Sequence, residues 1–202
     1  MTMSESDWHS EAPTPEAYSR VTNPERFRPL HTLALALVDR LTADYDVART
    51  DAFALLPGMQ SFEHARAPVT LTPLAPDAAP VAIAFTTFPS LIVRYGRWLA
   101  DPFPACGCDA CGETAAGEGE RLEGLLRAVA AGHFREELTI PVFGEARLRW
   151  ALGDIASHAG HSGWRTLPRG QARTLRSGGP RRVQWQPWPR RGLGAAANAP
   201  AV

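Results

Sequence analysis

The sequence contains no lysine, and all 21 of its basic residues are arginine. This absence excludes several enzyme classes. A P-loop phosphate site, a pyridoxal Schiff base, the Ser-x-x-Lys hydrolases and the protein kinases each need a lysine at a defined place. A GC-rich genome, whose codons favour arginine and alanine, explains the bias without any functional role.

Long apolar runs and targeting signals are missing as well. The N-terminus is acidic and no apolar segment follows it, so we identify no signal or transit peptide. The longest apolar stretch, residues 33–38, is far shorter than the roughly 20 residues that cross a bilayer. The sequence therefore predicts a cytoplasmic protein that has no membrane contact.

Acidic residues are absent from the C-terminal part of the chain. Eight of the 21 arginines lie after Asp154, where there is no Asp or Glu. The formal net charge of zero therefore hides an acidic body and a basic C-terminal region. Packing of this region against the acidic body, or plain solvation, is the simpler interpretation of its charge.

Two tryptophans, Trp185 and Trp188, lie within the basic region. Rings that stack on bases, beside arginines that bind phosphates, are typical of single-stranded nucleic-acid sites. Ordinary packing of these rings on an edge strand is the simpler explanation. Nucleic acid is thus a partner that the sequence allows but does not favour. The neighbouring arginines are Arg181, Arg182, Arg190 and Arg191.

The length and composition fit one globular domain, since the chain has 202 residues and 45% of them are hydrophobic. Residues 1–17 are polar, contain Pro and show no periodicity, which predicts a flexible leader. Residues 18–190 form the predicted domain, and residues 191–202 a disordered tail.

Two amphipathic helices are predicted. The first begins within residues 22–25, a Thr-Asn-Pro-Glu sequence that indicates either an asparagine cap or a capping box. Apolar residues then recur at helical spacing to about residue 45, and Pro29 divides this run into a short first turn and a main helix. The second helix carries apolar residues over 122–129 and ends at Gly132.

The strand-forming segments are short, rich in β-branched residues and separated by turn signals. They lie at residues 69–74, 81–85, 91–95, 137–143, 146–152 and 181–188. Short connections favour antiparallel pairing, and Gly144-Glu145 suits a two-residue hairpin turn. Residues 46–67 are predicted as a connection with a short helical piece near 52–56, and residues 157–179 as a loop. The order of elements predicts an α+β fold, with an antiparallel sheet of five to six strands and two main helices.

The sharpest chemical feature is a Cys-x-Cys-x-x-Cys cluster formed by Cys106, Cys108 and Cys111. An odd number of cysteines fits a disulfide framework badly, and closely spaced thiols in a reducing compartment are typical of a metal or redox site. Thiolates are good ligands for zinc, and a Cys-x-x-Cys turn lets two sulfurs converge on one ion. The sequence therefore predicts a small metal-binding protein, with zinc as the cofactor in a mainly structural role.

The fourth ligand of such a site is not determined by the sequence. Asp109 and Glu113 are the nearest carboxylates, while His158 and His161 lie in a predicted loop. A helix that follows the cluster would place His133 at its far end, roughly 30 Å away at 1.5 Å per residue. His133 is therefore the one candidate that geometry excludes.

The same thiols also suit a redox site. Cys108 and Cys111 form a Cys-x-x-Cys pair that we expect near the start of the second helix, where the helix dipole lowers the pKa of a thiol. The sequence lacks the strand-helix-strand context of a thioredoxin-like fold, and this hypothesis leaves Cys106 without a role. Three reduced thiols without any ligand are the simplest alternative. An enzyme is not favoured, because no nucleophile, base and orienting group occur together.

At residues 18–30, and again from residue 85 through the cysteine cluster to residue 138, the chain resembles an actinobacterial family known as a domain of unknown function. The resemblance includes Gly179-Pro180-Arg181-Arg182 near the C-terminus. It implies a single bacterial cytoplasmic domain that covers most of the ordered chain. It implies no activity, cofactor, partner or catalytic residue.

Overall fold

The computed structural model describes residues 13–52, 63–153, 161–168, 170 and 181–192. Several predictions fall on other parts of the chain. Residues 1–12 of the predicted leader, residues 193–202 of the predicted tail and residues 53–56 of the predicted helical piece lie outside the described residues. Much of the predicted loop at 157–179 lies outside them too.

Two α-helices are present in the described residues, α1 at Pro29–Asp44 and α2 at Ala115–Ala130, and they pack against each other. Single-turn 3-10 helices lie before them at Pro15–Tyr18 and Pro24–Phe27. The predicted division at Pro29 is confirmed. Proline is tolerated in the first turn of α1 because an N–H at that position has no partner within the helix.

Nine strands occur in the described part of the chain, and all the ladders between them are antiparallel. Their bounds are β1 Val47–Asp51, β2 His64–Pro73, β3 Val81–Thr86, β4 Leu91–Tyr95, β5 Leu99–Phe103, β6 Phe134–Thr139, β7 Ala146–Leu152, β8 His161–Leu167 and β9 Arg182–Gln184. The first sheet has the order β1-β2-β3-β4-β5 and the second β8-β7-β6-β9. The predicted α+β class with two main helices is confirmed, and the strands divide into two sheets.

Three strands were not predicted from the sequence, namely β1, β5 and β8. Each of them lies at the edge of a sheet. β1 buries one of its five residues and β8 one of its seven, so neither shows the alternation that marks a half-buried strand. The predicted connection at 46–67 and the predicted loop at 157–179 were wrong where these two strands lie.

The hairpin of β6 and β7 is confirmed, but its turn is not the predicted two-residue turn. The ladder ends at the pair formed by Thr139 and Arg147, so residues 140–145 form a longer connection. The edge strand predicted at 181–188 is confirmed by β9, which is shorter and pairs with β6.

One hydrophobic core draws on both helices and both sheets, and β3 is buried at every position. His31 packs beside this core. Its Nε2 lies 3.0 Å from the carbonyl oxygen of Ser90, and its ring meets the ring of Phe85 edge-on at 5.3 Å. No helix among the described residues has the length and apolar character needed to cross a membrane.

Candidate metal centre

The three cysteines lie on the loop that joins β5 to α2. Their Sγ atoms are all within 4.8 Å of one another, and those of Cys108 and Cys111 are 3.3 Å apart. Two sulfurs on one tetrahedral zinc ion, each at a Zn–S distance of about 2.3 Å, are separated by about 3.8 Å. The three thiols are therefore close enough to bind a single metal ion.

The loop is shaped by backbone contacts close to the thiols. Gly107 has a φ of +81°, a left-handed conformation that lets the chain reverse between Cys106 and Cys108. Glu113 Oε2 accepts the backbone N–H groups of Cys106 and Gly107 at 3.1 and 2.7 Å. This carboxylate therefore satisfies two adjacent donors of the loop and helps to hold the thiols on one side of the turn.

The loop is also attached to the N-terminal segment of the chain, residues 17–26. The backbone N–H of Asp109 donates to the carbonyl of Arg20 at 2.9 Å, and the N–H of Ala110 donates to that of Ala17 at 3.2 Å. The guanidinium of Arg26 donates to the carbonyls of Gly107 and Cys108 at 2.8 and 3.1 Å. The cysteine loop is thus the anchor for this segment.

The side chain of Asp109 completes this attachment. It accepts the backbone N–H of Thr22 at 3.0 Å and the Nε–H of Arg20 at 3.1 Å. The hydroxyl of Thr22 also donates to it, at 3.2 Å, and the N-cap of the following 3-10 helix is Asn23, not Thr22 as the predicted capping box requires. Asn23, the alternative cap, makes no side-chain capping bond either. The bond from the Thr22 N–H, followed by those from the Arg20 and Thr22 side chains, lowers the pKa of Asp109 below its usual range.

The thiols differ in their acidity. Cys108 is only 3% exposed, and hydrogen bonds from Cys106 and Cys111 lower its pKa because they stabilise the thiolate. The same hydrogen bonding raises the pKa of Cys111 to about 12, since its proton is retained by the neighbouring sulfurs. Of Cys108 and Cys111, Cys108 is therefore the first to become a thiolate, and it is the buried member of the cluster.

The Cys-x-x-Cys pair lies just before α2, near its start as predicted but not in its first turn. α2 begins at Ala115, and the N-cap is Thr114, whose side-chain oxygen accepts the N–H of Gly117 at 3.1 Å. Cys111 lies before this cap and outside the first turn of the helix. Hydrogen bonds with the thiols of Cys106 and Cys111 are the main cause of the lowered pKa of Cys108.

No candidate for the fourth ligand joins the thiols within the part of the chain that the structure describes. Asp109 is bound to the N-terminal segment and Glu113 to the loop backbone. His133 follows the far end of α2, as expected, and His161 begins β8. The remaining candidate, His158, lies outside the described residues.

The tryptophans of the basic region belong to the core. Trp185 and Trp188 are 7% and 2% exposed. The Nε1–H of Trp185 donates to Glu136 Oε1 at 3.1 Å, and that of Trp188 to the carbonyl of Ala79 at 2.9 Å. These rings are consequently not free to stack on bases, and the predicted packing role is the one that the structure shows.

Comparison with known proteins adds a family but no activity. No curated protein and no solved structure matches the chain. A family of unknown function (DUF6226) matches residues 4–192. This match takes in both helices, both sheets and the cysteine cluster, as the resemblance seen in the sequence implies. The chain therefore belongs to this family of unknown function.

Proposed function

We propose that the protein binds one zinc ion through the thiolates of Cys106, Cys108 and Cys111, and that the ion has a mainly structural role. The convergence of the three sulfurs within 4.8 Å carries this proposal. Thiolate is the ligand that zinc prefers at structural sites, and the buried thiol of Cys108 has a lowered pKa. Thiols that stay reduced need a reducing compartment, such as the cytoplasm.

The structural role follows from what the loop holds. When bound, zinc would add a cross-link among the three thiolates to the hydrogen bonds that already hold the loop. The loop anchors residues 17–26 through the backbone of Asp109 and Ala110. Stabilising the loop therefore also stabilises the attachment of the N-terminal segment to the rest of the domain.

Elemental analysis tests the proposal. The protein is purified without a histidine tag, beside a variant in which all three cysteines are replaced by serine. We expect about one zinc per chain in the native protein, the stoichiometry of a single structural site, and almost none in the variant. A Cys106→Ser variant separates a three-thiolate site from a Cys-x-x-Cys pair, because only the former loses most of its zinc. A native protein that stays metal-free after incubation with zinc, and unfolds identically with and without chelator, would refute the proposal.

Thiol redox chemistry is the second candidate, favoured by the lowered pKa of Cys108 and its distance of 3.3 Å from Cys111. In this case Cys108 and Cys111 form a disulfide while one glutathione disulfide is reduced to two glutathione thiols. Thiol titration of the metal-free protein in glutathione buffers measures the potential. A potential close to that of the cytoplasmic glutathione pool favours a redox pair that cycles between thiol and disulfide, and the retention of all thiols under these conditions contradicts it.

A further inference from the structure

The second sheet has a solvent face that is rich in arginine. Residues directly opposite in an antiparallel pair project from the same face, so the register shows which side chains share it. One row crosses all four strands in the order Arg182, Glu137, Arg149 and Trp164. With strands about 4.8 Å apart, this row extends roughly 14 Å across the sheet.

Two further rows lie on either side of this one. The first contains Gln184, Arg135, Ala151 and Ser162, and the second contains Thr139, Arg147 and Thr166. Apart from Ala151, the residues of these two rows are exposed. The face is therefore almost entirely polar, and it borders a shallow cavity of about 700 Å³.

The charge of this face is positive. Glu137 is its only acid among the described strands, and it forms an ion pair with Arg182 at 3.0 Å. Within the described residues, Arg135, Arg147 and Arg149 have no carboxylate within ion-pair distance. The described part of the chain thus leaves three guanidinium groups on one surface without a neutralising carboxylate.

An aromatic ring completes the surface. Trp164 is 64% exposed, in contrast to the buried Trp185 and Trp188. The guanidinium of Arg147 lies over its ring, 5.9 Å from the ring centre. The second sheet thus carries an exposed aromatic ring beside arginines that have no carboxylate partner among the described residues. This is the arrangement that the sequence suggested for Trp185 and Trp188.

We propose that this face binds single-stranded nucleic acid, with Trp164 stacked on a base and Arg135, Arg147 and Arg149 contacting phosphates. Guanidinium groups complement the charge and geometry of phosphate oxygens. A duplex keeps its bases stacked on one another, so an exposed ring finds a partner in an unpaired strand. The uncharged polar residues of the face can supply further hydrogen bonds to the backbone.

Fluorescence anisotropy tests the proposal, with labelled RNA and DNA 12-mers of mixed sequence titrated with the full chain at several salt concentrations. Loss of one base-stacking contact in Trp164→Ala should weaken binding about tenfold, whereas Trp164→Phe should stay within about threefold. The double variant Arg135→Gln/Arg149→Gln should lower the slope of log K against log salt by about 1.4, at about 0.7 per phosphate contact. These side chains are exposed, and thermal unfolding verifies that each variant is folded.

Arg127→Gln is the matched control, because it removes one exposed arginine from α2 and leaves the sheet unchanged. It should bind like the native chain. No binding of either 12-mer at low salt would overturn the proposal. So would an equal loss in the control and in the sheet variants, or displacement of the oligonucleotide by polyglutamate at the same charge concentration, since either result means attraction by charge alone.

Discussion

Two turns of the molecule are held by the same kind of contact in different surroundings. One is the turn between β4 and β5, and the other is the cysteine loop. In both, one carboxylate accepts two consecutive backbone N–H groups. Glu136 does so for Arg97 and Trp98, at 2.7 and 3.1 Å, and Glu113 does so in the cysteine loop. Each turn also contains a left-handed glycine. At Gly96 a Cβ would lie 2.7 Å from Glu136 Oε1, too close for any larger residue.

The two carboxylates differ in burial. Glu136 is 1% exposed and accepts a third hydrogen bond from Trp185, so the turn is held from within the core by a distant strand. Glu113 is half-buried and lies only a few residues from the groups it binds. The turn between β4 and β5 is therefore ordered by its contacts with the core. The second depends on local contacts, on the ion pairs of Asp109 and, in our proposal, on a metal ion.

The largest effect is expected when the buried carboxylate of Glu136 is removed. Glu136→Ala leaves three N–H donors, two of them buried, without their acceptor, and we expect the free energy of unfolding to fall by about 3 kcal/mol. Glu137→Ala is the control, since it removes only an exposed ion pair on the same strand and should cost less than about 0.5 kcal/mol. Denaturant unfolding measures both, and similar losses for the two variants would contradict the distinction.

The second prediction concerns removal of the metal. Hydrogen exchange of zinc-loaded protein should show the amides of Asp109 and Ala110 losing about 100-fold protection on chelation, if loading is at about 100 times the dissociation constant. The amides of Arg97 and Trp98 should keep theirs, because Glu136 holds them independently. A uniform loss of protection across both turns would mean that the metal supports the whole fold.

A smaller effect is expected at the local carboxylate. Glu113→Ala should lower the free energy of unfolding by about 1 kcal/mol, because the two loop donors can bond to water once their acceptor is gone. Glu120→Ala, an exposed position on α2, serves as the control and should change stability little. A cost equal to that of Glu136→Ala, measured by the same denaturant unfolding, would remove the difference between the two turns.

The smallest expected effect is a difference between the pKa values of the Glu136 and Asp109 carboxyl groups. Burial raises the pKa of Glu136 above its ordinary 4.5, while hydrogen bonds lower that of Asp109 below 3.8. The stabilisation from ionised Asp109 is therefore complete above about pH 4 and is lost as the pH falls through its lower folded pKa. The sign is opposite for Glu136, whose ionisation disfavours the folded state as the pH rises from 4.5 through its folded pKa.

Carbon-13 NMR of the carboxyl groups measures this order of protonation. As the pH falls, Glu136 should take up its proton before Asp109 does. Asp109→Asn identifies the Asp109 signal, and Glu136→Gln that of Glu136. The reverse order would show that the buried carboxylate is stabilised more by its hydrogen bonds than it is destabilised by desolvation.

Most of the elements that could be predicted share one property, a face buried against the core. The apolar stripe of α1 and the β-branched residues of β3 and β4 repeat with the period of their own structure, so each segment is recognisable by itself. The edge strands β1 and β8 have no such repeat. They are strands because a neighbouring strand offers unpaired N–H and C=O groups, and that neighbour is not visible in the local sequence.

The candidate site divides in the same way. The three cysteines were recognised because they are adjacent in the chain, and a short turn must bring them together. The partners of Asp109 could not be found, since Thr22 lies 87 residues away. The exposed ring of Trp164 was not singled out, because composition counts tryptophans but does not show which ones the core covers.

The sequence by itself determined the α+β class, the two amphipathic helices, the clustering of the thiols and the lack of every lysine-dependent mechanism. These properties follow from local composition and periodicity. The tertiary structure alone decided that the strands form two sheets, that Glu136 supports a turn from another strand, and that arginines share a face with Trp164. The physical reason is that strand register, burial and hydrogen-bond partners depend on residues brought together from distant parts of the chain.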